Sequence, residues 1–322
     1  MTSLIEVHPY QVVGSSTTSP VDNKTRKVVY VKSPPCWTKT LTKQIDVQAS
    51  PKYWTRYVGS AKPHGSESYH DNRVKFRITV PLRGPVVTVE LRMNLIHETD
   101  MRVRQAPSEE IIRFVKHTMN LAMSWWSEQF ILDIVDPVCG KKSFPIHYKA
   151  VWLDQLGPNK FEDFIPAETT TPSTGTPPAS LRTKNLPLVR PSPPEDITVV
   201  AYDDILFPNF NGMLLHVDCR PSKRYDVVDL YVHELGHCFG LPDEYRYRSE
   251  TGGSQLIYRK ADGTTTKPMD TRFISGNRMV EADARRLREE HAWNVAIEVA
   301  ELLTDNLRPN IACNVRYVGT GK

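Results

Sequence analysis

Residues 233–245 read HELGHCFGLPDEY. His233 and His237 stand four positions apart. On an α-helix that spacing puts both imidazoles on one face, one turn apart, which suits two ligands of a single tetrahedral zinc ion. Glu234 is rotated off that line, where a carboxylate reaches a water on the metal without ligating the metal itself. H-E-x-x-H therefore combines two ligands with a general base for hydrolysis. The neighbours Tyr231, Val232, Leu235, Gly236, Cys238 and Phe239 carry no charge, so this helix can be buried beside an ion. Gly240 follows where the chain must leave the helix. Asp243, six residues after His237, is placed to swing back as a third ligand.

Such a helix needs a scaffold, and the upstream sequence supplies its elements. VKFRITVPL (74–82) and VVTVELRMNLIHE (86–98) alternate apolar and polar residues as half-buried strands do. Residues 108–132 predict a long helix. Ser108 can cap it, Glu109 and Glu110 suit its first turn, and Ile111, Ile112, Val115, Met119, Ala122 and Trp126 fall at helical spacing. FPIHYKAVWLD (144–154), DITVVAYDD (196–204) and GMLLHVDC (212–219) read as further strands, and a last helix is predicted over about 280–303. Between them, residues 166–194 hold eight prolines and six threonines, a composition that predicts a surface insertion because it buries too little to order itself.

Residues 1–80 carry 12 Lys/Arg against 5 Asp/Glu in a chain whose net charge is only +4. They read as a basic, loosely ordered β-rich arm or small appendage, with a catalytic domain over 81–322. The arm lacks interleaved aromatics, which disfavours a nucleic-acid partner. No apolar run is long enough for a membrane span. The N-terminus shows no secretory signal peptide, so synthesis in the cytoplasm is expected, with export by a route that needs no such signal left open. The five cysteines are odd in number and form no C-x-x-C pair, which argues against a disulfide framework and against a thiolate zinc cluster. Cys36, in SPPCWTK, raises the idea of a thiolate that closes the metal site and keeps it latent.

H-E-x-x-H-x-x-G-x-x-D resembles the extended signature of the metzincin clan of zinc peptidases, with aspartate last as in the snapalysin-like members. The resemblance implies an α+β zincin-like catalytic domain: a mixed twisted sheet, a long backing helix and an active-site helix. It implies one zinc per chain, Glu234 as general base and a peptide or protein substrate held along an edge strand, for which GMLLHVDC is the expected segment. It also implies a methionine in a tight turn beneath the metal, for which Met279 is preferred to Met269. LPDEY, followed by a Gly-Asn turn and an acidic residue, is similar to metallopeptidase toxin domains, some of them fused to type VI secretion spike proteins. There the third ligand is a downstream glutamate, and Glu281 matches it. Asp243 and Glu281 thus stand as alternatives for the third ligand. His291 and Tyr245, and also Tyr258, are candidates for oxyanion stabilisation or support. The resemblance further implies an exported effector that travels with a secretion-apparatus carrier protein. The competing reading is an inactive zincin-fold binding module, or carrier-bound cargo that uses its basic arm; the presence of Glu234 disfavours it, since a scaffold needs no general base.

Overall fold

The computed structural model describes residues 37–58, 62–63, 73–98, 104–105, 107–152, 197–202, 209–211, 214–218, 228–245, 254–280 and 286–319. The insertion at 166–194, Cys36 and Glu281 lie outside the described residues, as does the first part of the N-terminal segment.

The alternating sequences form strands around one long central strand, giving an α+β fold with a mixed sheet. The strands of the larger sheet are β1 (Thr40–Gln48), β4 (Arg73–Pro81), β5 (Val87–Glu98), β6 (Arg104–Gln105), β7 (Phe130–Asp136), β8 (Gly140–Trp152), β9 (Ile197–Tyr202), β10 (Asn209–Asn211), β11 (Leu214–Asp218) and β14 (Ala312–Tyr317). Its order is β10-β11-β9-β5-β8-β7-β14, with β1 and β4 branching from β5. Strand β5 is long enough to serve four partners. Its first half pairs in parallel with β8 and antiparallel with β4, and its second half pairs in parallel with β9 and antiparallel with β6. Val87, Val89, Leu91 and Met93 are fully buried at period two, which is why the strand sits at the centre. A smaller sheet has the order β13-β12-β2-β3, from β2 (Trp54–Val58), β3 (Lys62–Pro63), β12 (Ser254–Tyr258) and β13 (Met269–Asp270).

Helix α1 (Glu109–Trp126) starts as its sequence predicts: Ser108 is extended and its Oγ accepts Ile111 N–H at 3.3 Å. It ends six residues earlier than expected. Ser127 is extended and Glu128 takes a left-handed φ of 66°, so the chain turns and continues as β7. Phe130, Leu132 and Ile134 then face the core at strand spacing, and β14 pairs along β7 from Phe130 to Asp136's neighbour Val135.

Residues 40–58 and 73–81 are β-rich, as expected, but they are built into the sheets rather than standing apart as an arm. Strand β1 pairs with β4 along its whole length, from Thr40 opposite Pro81 to Gln48 opposite Arg73. Strand β2 pairs with β12, about two hundred residues away in the chain. Strand β1 also packs against helix α3 (Trp293–Asn306). There the fully buried Glu298 receives Lys43 at 2.6 Å, Lys52 at 2.5 Å and the Tyr53 hydroxyl at 2.6 Å. A buried carboxylate is tolerated only when its charge and lone pairs are met in this way.

The last helix also departs from the expected continuous span of about 280–303. Residues 286–288 are not helical, a 3-10 turn covers Glu289–Ala292, and the α-helix starts at Trp293. Arg288 is extended, and its N–H is taken by His291 Nδ1 at 3.2 Å, which caps the turn and breaks the run. Cys139 is disulfide-bonded, while Cys238 and Cys313 are free and buried. Among the described residues no helix is long and apolar enough to cross a membrane.

Candidate metal centre

Helix α2 (Val228–Cys238) carries the motif, and nearly every side of it is covered. Trp126, at the end of α1, donates its indole N–H to the carbonyl of Val232 at 2.8 Å and stacks edge-on against Phe239. Gly236 lies over the fully buried Met279, and a Cβ at that position would overlap the methionine thioether. Met279 itself sits in a turn braced by Asn277, whose Oδ1 accepts Met279 N–H at 2.9 Å. Met279 is thus the methionine beneath the histidine helix. Met269 instead lies on β13, with its sulfur 3.4 Å from an Arg288 nitrogen.

The two imidazoles are fixed from behind. His233 Nδ1 lies 2.7 Å from the carbonyl of Arg278, and His237 Nδ1 lies 2.8 Å from the carbonyl of Leu241. A carbonyl only accepts, so each Nδ1 carries the proton and each Nε2 presents its lone pair forward. The rings stand 4.9 Å apart and nearly perpendicular.

The chain then turns back towards them. Gly240 has φ +93°, a conformation that favours glycine, and a Cβ there would press on the Tyr53 ring at 3.2 Å. Leu241 N–H bonds back to the carbonyl of Gly236 at 2.9 Å, closing the helix with a Schellman-type turn. This reversal brings Asp243 home: its Oδ1 is 3.2 Å from Nε2 of both His233 and His237. The ligand atoms of His233, His237 and Asp243 all lie within 4.8 Å of one another, and the group is largely buried.

Three lone-pair-bearing atoms facing each other in a buried space repel unless a cation stands among them. A metal ion supplies that charge, and these residues can hold one. Without a metal, a proton must do so. Burial pulls His237 down, but the Asp243 carboxylate, with help from Glu234, carries it up to about 9. Asp243 is held well below the usual carboxylate range: burial raises it, and the two imidazoles outweigh burial. Glu234 is buried one position after His233, close enough for its charge to act on His237.

The other expected residues are placed as follows. Burial and the Asp243 carboxylate, which Tyr245 hydrogen-bonds, push the Tyr245 hydroxyl up well beyond its ordinary range. His291 is committed at both nitrogens: Nδ1 accepts from Arg288 N–H, and Nε2 donates to Glu244 Oε1 at 3.1 Å. It supports the site from behind and has no proton left to offer an oxyanion. Tyr258 likewise gives its hydroxyl to Glu244 Oε1 at 2.6 Å. Glu244 is fully buried and also receives Arg288 at 2.5 Å. Burial alone would raise its pKa, but His291, Arg288 and Tyr258 bring it down to about 2.

Sequence reasoning missed Glu244, Arg278 and Arg56. Arg278 is fully buried, lies 4.5 Å over the Trp125 ring and bonds Asp229 at 3.0 Å. Glu244 had a faint signal, as a second acid beside Asp243 in LPDEY. Arg56 had none. The expected edge strand GMLLHVDC also needs correction. Its described part, β11, is parallel to β9 on one side and paired with β10 on the other, from Leu214 opposite Asn211 to His216 opposite Asn209. Among the described residues, the outermost strand beside α2 is β10.

Compared with known proteins, the chain matches no family model, no curated protein and no solved structure.

Proposed function

We propose that this chain is a zinc-dependent endopeptidase, with His233, His237 and Asp243 as metal ligands and Glu234 as general base. The observation that carries the reading is the convergence of two forward-facing Nε2 atoms and one carboxylate oxygen beside a buried glutamate. Ligand atoms held ~2.0–2.1 Å from one tetrahedral zinc stand about 3.3 Å apart, and the two histidine–aspartate separations are 3.2 Å. Along the chain, β5, the long helix α1, the strands β8, β9 and β11 and then the motif helix α2 follow one another in the succession that the resemblance to zincins implies.

Held by His233, His237 and Asp243, a zinc ion would supply Lewis acidity, enough to bring the pKa of a water toward ~7. Glu234 takes the proton of the attacking water and passes it to the leaving amine. The carbonyls of Arg278 and Leu241 keep both histidines in the tautomer that leaves Nε2 free for the ion. Tyr245 gives its hydroxyl proton to the Asp243 carboxylate and so helps to orient that ligand. An extended substrate would pair with β10, the outermost strand beside the motif helix. Export as an effector that travels with a secretion-apparatus carrier belongs to the same reading and rests on the resemblance of LPDEY and its surroundings to metallopeptidase toxin domains.

The test is Glu234→Gln, assayed against a peptide library with bound zinc quantified in the same samples. The variant should keep its zinc and lose cleavage, because an amide cannot accept the water's proton. Cleavage at the parent rate by the zinc-loaded variant would remove Glu234 from the mechanism.

A further inference from the structure

The loop that returns Asp243 to the histidines belongs to no helix or sheet, so its position depends on what grips it. Glu244 N–H bonds the carbonyl of Met279 at 3.0 Å on one side. From another direction comes Arg56, on β2. Its Nη1 donates to the carbonyl of Asp243 and its Nη2 to the carbonyl of Tyr245, each at 2.7 Å. One planar guanidinium thus spans the backbone on both sides of Glu244. The arginine is buried, and its neighbour Trp54 donates its indole N–H to the carbonyl of Gly240 at 2.8 Å. Strand β2 therefore holds the loop at its start and across its ligand, while Tyr258 from the paired strand β12 holds Glu244.

We infer that Arg56 is a positioning residue for the third ligand: its fork on the carbonyls of Asp243 and Tyr245 sets the Asp243 carboxylate against His233 and His237, and so sets the affinity of the centre for its cation. The inference rests on the metal-binding reading given above. Arginine suits the task because two donors in a fixed plane fix both the place and the tilt of a backbone segment. A lysine ammonium is a single point and leaves that segment free to pivot. A small pivot is enough to move the aspartate oxygen out of the 3.2 Å contacts it now makes with both rings. A segment 187 residues before the ligand loop thus becomes part of the metal centre without touching the ion.

The experiment compares the full chain with Arg56→Ala, Arg56→Lys and Val315→Ala. Val315 is buried on β14, at the opposite end of the sheet order from β10, and serves as a comparator that lowers stability alone. Zinc affinity is measured against a competing chelator, the visible spectrum is recorded with cobalt in place of zinc, and melting of the metal-free protein confirms folding. Arg56→Ala should weaken zinc by about 10–100-fold, the range for partners that orient a ligand, and should shift the cobalt bands. Arg56→Lys, the variant that keeps the charge if the alanine variant fails to fold, should show the same shift to a smaller degree. Val315→Ala should melt earlier but bind zinc as the parent does. If the folded Arg56 variants match the parent in affinity and spectrum, Arg56 is not a positioning residue and the metal reading stands. If the parent itself takes up neither zinc nor cobalt, the metal reading fails and the inference fails with it.

Discussion

His233 turns its Nδ1 to the carbonyl oxygen of Arg278, 2.7 Å away, in the turn that carries Met279. This one contact joins the motif helix to the segment beneath it. It fixes the tautomer of the first histidine and brings Met279 under Gly236. Gly236→Ala should therefore destabilise the protein by about 1–3 kcal/mol, the usual cost of forcing a methyl into a filled space. In a Met279→Ala background the cost should shrink, because the overlapping thioether is gone. Urea unfolding of the four proteins checks this, and an equal cost in both backgrounds would place the clash elsewhere.

The third ligand can be decided directly. Asp243 stands 3.2 Å from both Nε2 atoms. Asp243→Ala should weaken zinc by much more than the ~10–100-fold expected for a residue that only orients a ligand, and Glu281→Ala should not. Chelator competition measures both. A large loss in Glu281→Ala with near-parent binding in Asp243→Ala would transfer the ligand role to Glu281.

Acid should compete with the metal. His237 is pushed up to about 9 in the metal-free protein, so its proton must leave before Nε2 can bind an ion. Apparent zinc affinity should rise by about tenfold per pH unit between about pH 6 and 8, where one proton is displaced. The sign for stability is opposite. A raised folded-state pKa adds stability to the metal-free protein below about 6.5, and that stability is lost as pH rises towards about 9. Zinc titrations and metal-free melting curves across this range test both. A zinc affinity independent of pH would show that His237 carries no proton for the metal to displace.

What was legible in the sequence was whatever rests on local periodicity. His233, Glu234 and His237 follow from the helical repeat, and the Gly240 reversal follows from a conformation that favours glycine. Strands β4 and β5 follow from alternation, and the start of α1 follows from Ser108. The end of α1 was less clear, because WWSEQFIL satisfies both helical and alternating spacing and only the turn at Ser127 and Glu128 decides. Arg56, Glu244 and Arg278 act through backbone or side-chain partners 187, 44 and 49 residues away. Nothing local marks such contacts, since they arise only when β2, β12 and the Met279 turn are brought around one loop. The broken last helix belongs with them: His291 caps the turn, and Glu244 holds Arg288 and His291 in place.

The most direct test is the metal content of the purified full chain after exposure to zinc and exhaustive dialysis, measured beside the His233→Ala, His237→Ala double variant. The parent should retain one zinc per chain and the folded double variant none. A parent that retains no zinc, or a double variant that retains as much as the parent, would contradict a metal centre built on these histidines.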